Sequence, residues 1–185
     1  MIGELPTQLE ISGEMYSIRT DFRDIIKILC AFNDPELKNE EKIYICLFIL
    51  YEEFENISES EYEEAFQKAI AFIDQGSQEN NKHSPRLMDW EQDEQIMFPA
   101  INKVAGFEIR SSKYVHWWTF MGYYMEISEG IFSQVLALRS KKAKGKKLEK
   151  WEKEFWSNNR DICVLKTKLT EEEKLELENL NKMLG

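Results

Sequence analysis

Residues 9–30 read LEISGEMYSIRTDFRDIIKILC, and the spacing of their apolar side chains changes partway along. In the first half, apolar and polar residues alternate around a Ser-Gly pair, which is the pattern of two β-strands joined by a tight turn. From Phe22 onward, apolar residues recur three and four positions apart, as on one face of a helix. The sequence therefore predicts a β-hairpin at about 8–18 and a helix after it, with Thr20 or Asp21 as the N-cap.

The longest apolar run in the chain covers residues 43–51. A membrane span needs about 20 apolar residues, so this run predicts a buried element instead. Ahead of it, Asp34 and Pro35 provide an N-cap and a first-turn proline, so we expect a helix to begin there and continue through the run. Because the run is apolar on all sides, we expect it to be the central helix; a buried strand is the alternative.

Capping and helix-ending residues mark the next helices. Ser58 and Glu61 have the spacing of a capping box, and Gly76 is placed to end the helix that follows. Residues 77–86 have the composition of a polar loop. A further helix is expected over about 89–106, with a kink or a break at Pro99.

Aromatic residues are dense in the segment that follows. Residues 114–125 form an aromatic stripe at helical spacing, with Ser111 or Ser112 as the expected cap. Gly130 then leads into a shorter amphipathic piece. A second capping box at Thr170 and Glu173 begins a charged terminal helix, whose apolar face carries Leu177, Leu180 and Leu184.

The predicted fold class is mostly α: a single-domain helical bundle with a short N-terminal β-hairpin. We expect a helical domain over residues 1–160. Residues 161–185 are expected to form a charged C-terminal helix, and the sequence leaves open how firmly that helix is attached.

The chain carries a formal net charge of −10, and that charge is unevenly spread. Residues 139–150 hold seven Lys or Arg and one Glu, so this basic segment is +6 and the remainder is −16. An acidic surface repels phosphate, which argues against nucleic acid as the main partner. We interpret the basic segment as a solvated, mobile linker between helices; contact with nucleic acid is the alternative.

The cysteines and the N-terminus bear on the cellular compartment. Cys30, Cys46 and Cys163 are odd in number and widely spaced, which is typical of reduced thiols in a cytosolic protein. Residues 1–8 lack the basic start and apolar stretch of a signal peptide. We therefore expect a cytoplasmic protein without membrane contact.

Residues that could support catalysis are sparse. His83 lies in the polar loop and His116 in the aromatic segment, and neither belongs to a nucleophile motif. Asp89 and Asp93 are four residues apart and could face one ligand, but acids near a helix start are also explained by the helix dipole. We expect no enzyme activity, no cofactor and no metal site.

The aromatic stripe and the piece after it supply the candidate partner-binding residues. These are Tyr114, Trp117, Trp118, Met121, Tyr124, Met125, Ile131, Phe132 and Val135. Aromatic and Met side chains dominate both protein cores and protein interfaces. The sequence leaves open whether this stripe is core or an exposed partner groove.

Several segments, in the same order, resemble the bacteriophage gene-product-fifteen family. The similar segments are residues 5–23, 34–37, 40–42, 87–93, 116–120 and 132–135, with Arg139 after them. The resemblance covers about residues 5–155. Pro99 departs from the helix-favouring residues expected at its position, and the terminal helix lies beyond the resemblance.

The resemblance implies a phage or prophage protein encoded among the tail genes, near the tape-measure gene. It also implies a tail assembly chaperone, a protein that keeps the tape-measure protein soluble until the tail tube encloses it. The implied partners are the tape-measure protein and an upstream tail chaperone or a tail-tube protein, and self-association stays open. The alternatives are a structural tail or connector component retained in the virion, and a small regulatory protein that binds nucleic acid through its lysines.

Overall fold

The computed structural model describes residues 3–76 and 85–184, where a hairpin is followed by a series of helices. The strands are β1 (Gln8–Ile11) and β2 (Glu14–Ser17), and the helices are α1 (Phe22–Phe32), α2 (Asn39–Leu50), α3 (Tyr62–Ile73), α4 (Glu94–Ala105), α5 (Trp117–Met125), α6 (Ile131–Ala143), α7 (Lys150–Asn158), α8 (Arg160–Cys163) and α9 (Glu171–Leu184). Single 3-10 turns lie at Phe54–Asn56, Glu59–Glu61 and Ile109–Ser111. This confirms the predicted fold class, a mostly α single domain with an N-terminal hairpin.

Two of the predictions fall partly outside the described residues. Most of the predicted polar loop, with His83, lies in the undescribed segment 77–84. The side chains of Leu177, Leu180 and Leu184 are also outside the description, so the apolar face of the terminal helix stays a prediction, as does the domain boundary after residue 160. Within the described part of the chain, no helix is long and apolar enough to span a bilayer.

The hairpin turn has the backbone conformation that joins short antiparallel strands. Ser12 has a φ of 50° and Gly13 a φ of 88°, as in a type I′ turn, whose twist matches that of the strands. The Ser12 amide and hydroxyl both donate to the Glu64 carboxylate, which fixes the turn to α3. Ile11, at the end of β1, is fully buried beneath it.

Three of the predicted helix caps are confirmed. Asp21 caps α1, because its Oδ1 accepts the backbone amide two residues along at 3.0 Å. Glu61 accepts the Ser58 amide at 3.2 Å, and this capping box leads into α3. The second capping box forms between Thr170 and Glu173 at the start of α9.

Helix α2 differs from its prediction in two ways. It begins at Asn39, so the prediction of a helix starting at Asp34 is wrong; Asp34 Oδ1 accepts the Glu36 amide at 2.9 Å and forms a local turn instead. The prediction of a central helix is also wrong, because Tyr44 and Phe48 are exposed although the run is apolar on all sides. The helix packs on α1 and α3, and the side that carries Tyr44 and Phe48 is exposed. Its fully buried residues are Cys46, Leu47 and Leu50.

Helix α4 is continuous, although Pro99 lies inside it, so of the two predicted alternatives the break is wrong and the kink stays a prediction. It begins at Glu94 rather than near Asp89, because the Asp89 carboxylate accepts two nearby amides and holds the chain in a turn. Residues before and after the proline in the sequence pack into the core and stabilise the helix across it; these are Met97, Phe98 and Ile101. Gly106, with a φ of 81°, ends the helix as predicted.

The cap of α5 is His116, and the prediction of Ser111 or Ser112 is wrong. His116 Nδ1 accepts the Trp118 amide at 3.0 Å. Its Nε2 lies 3.0 Å from the Pro6 carbonyl oxygen, so the ring with hydrogen on Nε2 satisfies both contacts. His116 is buried and serves as a structural link between α5 and the N-terminal segment.

Most buried apolar side chains form one cluster between the hairpin and helices α1–α6. Within it, the rings of Phe22 and Phe120 stack with centroids 4.5 Å apart. A second, smaller cluster lies where α6 meets α8 and contains Val135, Leu138 and Cys163.

Candidate partner-binding surfaces

The structure divides the nine predicted partner-binding residues by exposure. Trp117, Phe132 and Val135 are buried in the core. Trp118, Met121 and Tyr124 are half-buried and pack against it. Tyr114, Met125 and Ile131 are exposed. Six of the nine candidates are therefore in the core or packed against it, and the other three are exposed to a partner.

Hydrogen bonds from two tryptophans explain why much of the aromatic stripe packs into the core. The Trp117 indole N–H donates to the Ile73 carbonyl at 2.8 Å, and the Trp118 indole N–H donates to the Phe72 carbonyl at 2.8 Å. Both carbonyls belong to the last turn of α3, where backbone oxygens have no partner within the helix. The tryptophans thus donate hydrogen bonds to carbonyl groups at the end of α3, and their large rings pack in or against the core.

A surface groove of about 270 Å³ lies between α4 and the start of α6. Its apolar lining comes from Ile96, Pro99, Ala100, Ile131 and Phe132, and the ion pair between Lys103 and Glu129 lies at its edge. Ile131 is 55% exposed, so the lining of the groove includes an apolar side chain that is open to solvent.

A second apolar surface, on α2, was missed by the sequence reasoning. The rings of Tyr44 and Phe48 stack one helical turn apart, with centroids 6.2 Å apart, and the Phe54 ring meets both edge-on. Tyr44 is 52% exposed and Phe48 is 55% exposed. Their spacing of four residues, off the face that carries Cys46 and Leu50, is the signal that could have identified them.

A buried ion pair joins the N-cap residue of α4 to α6. Arg139 is 5% exposed and Asp93 is 1% exposed. The guanidinium holds the carboxylate through two parallel bonds, of 2.7 and 2.8 Å. Its remaining three N–H groups donate to backbone carbonyls at 2.7–3.0 Å; these belong to Leu87, Ile162 and Cys163. All five N–H groups of this arginine are therefore used.

This pair changes the interpretation of the two aspartates. Asp93 neutralises a buried arginine rather than only complementing a helix end, and its Oδ2 accepts the Asp89 amide at 3.0 Å. Asp89 accepts backbone amides of the turn and pairs with Arg86. The two carboxylates therefore have separate structural partners.

The basic segment is partly ordered by α6 and α7, so the mobile-linker interpretation is wrong for its first residues. Residues 139–143 are helical, and Lys141 pairs with the buried Glu152 of α7. The Lys142 ammonium lies 4.2 Å from the centroid of the Trp156 ring. A surface hollow of about 400 Å³ opens here, lined by Lys142, Lys146, Leu148, Lys153 and Trp156.

The three cysteines are free thiols, and burial raises the pKa of each. For Cys46 burial raises the pKa to about 12. The thiolate is the nucleophilic form, so burial disfavours reaction of these thiols, most strongly for Cys46. Within residues 3–76 and 85–184, no three His, Cys, Asp or Glu side chains lie close enough together to hold a metal ion.

Comparisons with known proteins identify the family. Neither a curated protein nor a solved structure matches this chain. The family model described as Bacteriophage Gp15 protein matches residues 1–165, which takes in the hairpin, α1–α8 and both surfaces described above. The match supports a phage structural or head–tail related protein. It covers well over half of the chain, and the chain belongs to the Bacteriophage Gp15 protein family.

Proposed function

We propose that this chain is a tail assembly chaperone that binds the tape-measure protein in the bacterial cytoplasm and keeps it soluble, acting by binding and not by catalysis. Membership of a phage family supports the setting. The resemblance of residues 5–155 to the gene-product-fifteen family, which implies a place among the tail genes, supports the role. The observation that carries the proposal is the apolar groove between α4 and α6, whose lining includes the exposed Ile131.

The groove suits one apolar side chain of a client helix. A long helical client exposes an apolar stripe before the tail tube covers it, and such a stripe binds by placing anchors at helical spacing in a partner groove. Full burial of one large apolar side chain contributes about 1.5–3 kcal/mol. Lys103 and Glu129, at the edge of the groove, offer both signs of charge to polar groups beside the stripe.

The test is copurification from cells that produce this chain together with the tape-measure protein of the same genome. We expect the wild type to retain the client in high salt, because apolar burial is not screened. Ile131→Glu places a charge at the groove and should lose the client. Leu175→Glu is the matched control, since Leu175 is a similarly exposed apolar residue on α9, outside the family match.

The proposal fails if Ile131→Glu and Leu175→Glu retain equal amounts of client, or if the folded wild type retains none. Melting temperatures of both variants should match the wild type, since both side chains are exposed.

A structural component retained in the particle is the second candidate, because the family match supports a structural or head–tail related protein. Mass spectrometry of purified virions separates the two. A chaperone is absent from mature particles, whereas a structural component is present in fixed copy number.

A further inference from the structure

The segment of residues 40–64 combines exposed aromatic rings with strong negative charge. Residues 40–64 contain nine glutamates and one lysine. The stacked rings of Tyr44 and Phe48 lie in this segment, with Phe54 beneath them. We call this surface the acidic face.

A second face combines exposed aromatic rings with positive charge. It is formed by the end of α6, the loop after it and α7. Its lysines are Lys142, Lys144, Lys146, Lys147, Lys150 and Lys153. Trp151 is 56% exposed, and Trp156 lines the hollow between Lys142 and Lys153. We call this surface the basic face.

The two faces do not neutralise each other within one molecule. α2 packs on α1 and α3, whereas α6 packs on α4 and α8, and α7 packs on α8. Among the described residues, no ion pair joins a lysine of the basic face to a glutamate of residues 40–64. The glutamates of α7 offset part of the positive charge, but the lysines outnumber them. Each molecule therefore presents two surfaces of opposite net sign, and both carry aromatic side chains suited to an interface.

We propose that the acidic face of one copy binds the basic face of a second copy, head to tail. Opposite potentials favour this orientation, while contact between two acidic faces would bring like charges together. Tyr44 and Phe48 supply an apolar centre, and Trp151 and Trp156 supply its counterpart. This pairing uses surfaces other than the Ile131 groove and does not rest on the chaperone role.

The contact is heterologous, so each dimer keeps one free acidic face and one free basic face. Such a contact continues into a ring or an open chain instead of stopping at a dimer. We therefore expect the average mass to rise with concentration, and to fall with added salt because exposed charges are screened.

Two variants remove one face each. Y44S/F48S removes the exposed rings of the acidic face, and K142E/K146E/K153E reverses charge on the basic face. The changed residues of the acidic face are exposed, and circular dichroism with thermal melting checks the fold of both variants. The control K113E/K166E/K182E has the same change in net charge on exposed lysines outside the basic face.

Light scattering after size-exclusion chromatography measures the mass of each protein and of their mixture, at about 50 mM and 500 mM salt. We expect each face variant to weaken self-association about tenfold or more, the scale of losing an interface anchor. We expect the control to associate as the wild type does. An equimolar mixture of the two face variants should form a 1:1 dimer and nothing larger, because it holds one intact acidic face and one intact basic face.

Three outcomes would overturn the proposal: a wild type that stays monomeric at high concentration and low salt, face variants that associate as the control does, or a mixture that forms no dimer. A monomeric wild type that binds duplex DNA, with binding lost in K142E/K146E/K153E, would assign the basic face to nucleic acid instead. The Ile131→Glu variant separates this result from the chaperone role, because it should lose the client and keep the self-association.

Discussion

The buried pair of Asp93 and Arg139 yields the sharpest stability prediction. Asp93→Asn leaves the arginine charge in place with its backbone acceptors but without its counter-ion. Arg139→Met leaves a buried carboxylate and also deprives three carbonyls of their donor. A helix-end role for Asp93, the interpretation from sequence, predicts a loss of only about 0.3–1 kcal/mol.

The structure predicts a much larger loss. Removing one partner of a buried ion pair costs about 3–5 kcal/mol, because the remaining charge is uncompensated. We expect Asp93→Asn near the lower end of this range, since the guanidinium keeps three acceptors. Arg139→Met should reach the upper end. Losses of this size are a large share of the total stability of an ordinary domain, about 5–15 kcal/mol.

Urea unfolding followed by tryptophan fluorescence measures these losses. The double variant D93N/R139M should lose less than the sum of the single variants, because one interaction is removed in all three. Arg110→Met is the control: its guanidinium pairs with Glu108 on the surface, and we expect a far smaller change. If Asp93→Asn lowers the free energy of unfolding by about 1 kcal/mol or less, as for a surface pair, the pair does not stabilise the fold as argued.

Three further predictions concern the core and the helices. Cys46 should resist thiol reagents in the folded protein at pH 8, because its pKa is raised to about 12. Mass spectrometry measures the labelling rate, and a rate equal to that of the unfolded protein would contradict this prediction. His116→Ala should lower the free energy of unfolding by about 1–2 kcal/mol, because it removes the cap of α5. Urea unfolding measures this loss, and an unchanged midpoint would contradict the prediction. Pro99→Ala should raise the melting temperature, because it restores a helical N–H at an exposed position and the helix-interior penalty of proline is up to about 3 kcal/mol; a lower melting temperature would show that the ring itself is needed.

Local signals in the sequence were sufficient where a cap or a turn depends on neighbouring residues. Asp21, Ser58 and Gly106 act as predicted because their partners lie within a few positions along the chain. The hairpin was predictable for the same reason, since its turn and alternation lie within about ten residues.

Sequence reasoning failed where a residue's role depends on distant parts of the chain. Arg139 was counted with the solvated lysines, but its partners are Asp93 and three carbonyls from two other segments. The apolar run of α2 did not reveal which side of the helix meets α1 and α3, so the exposure of Tyr44 and Phe48 was missed. Exposure is set by packing between elements, which periodicity alone does not specify.

The solubility of the client is the most direct test of the chaperone role. The tape-measure protein of the same genome should be produced in cells alone, with the wild-type chain, and with Ile131→Glu, and the soluble fraction measured by quantitative immunoblotting after centrifugation. We predict a mostly soluble client with the wild type, and an aggregated client alone or with Ile131→Glu. A client that is equally soluble in all three cultures, or that aggregates equally in all three while this chain stays folded and soluble, would contradict the proposed function.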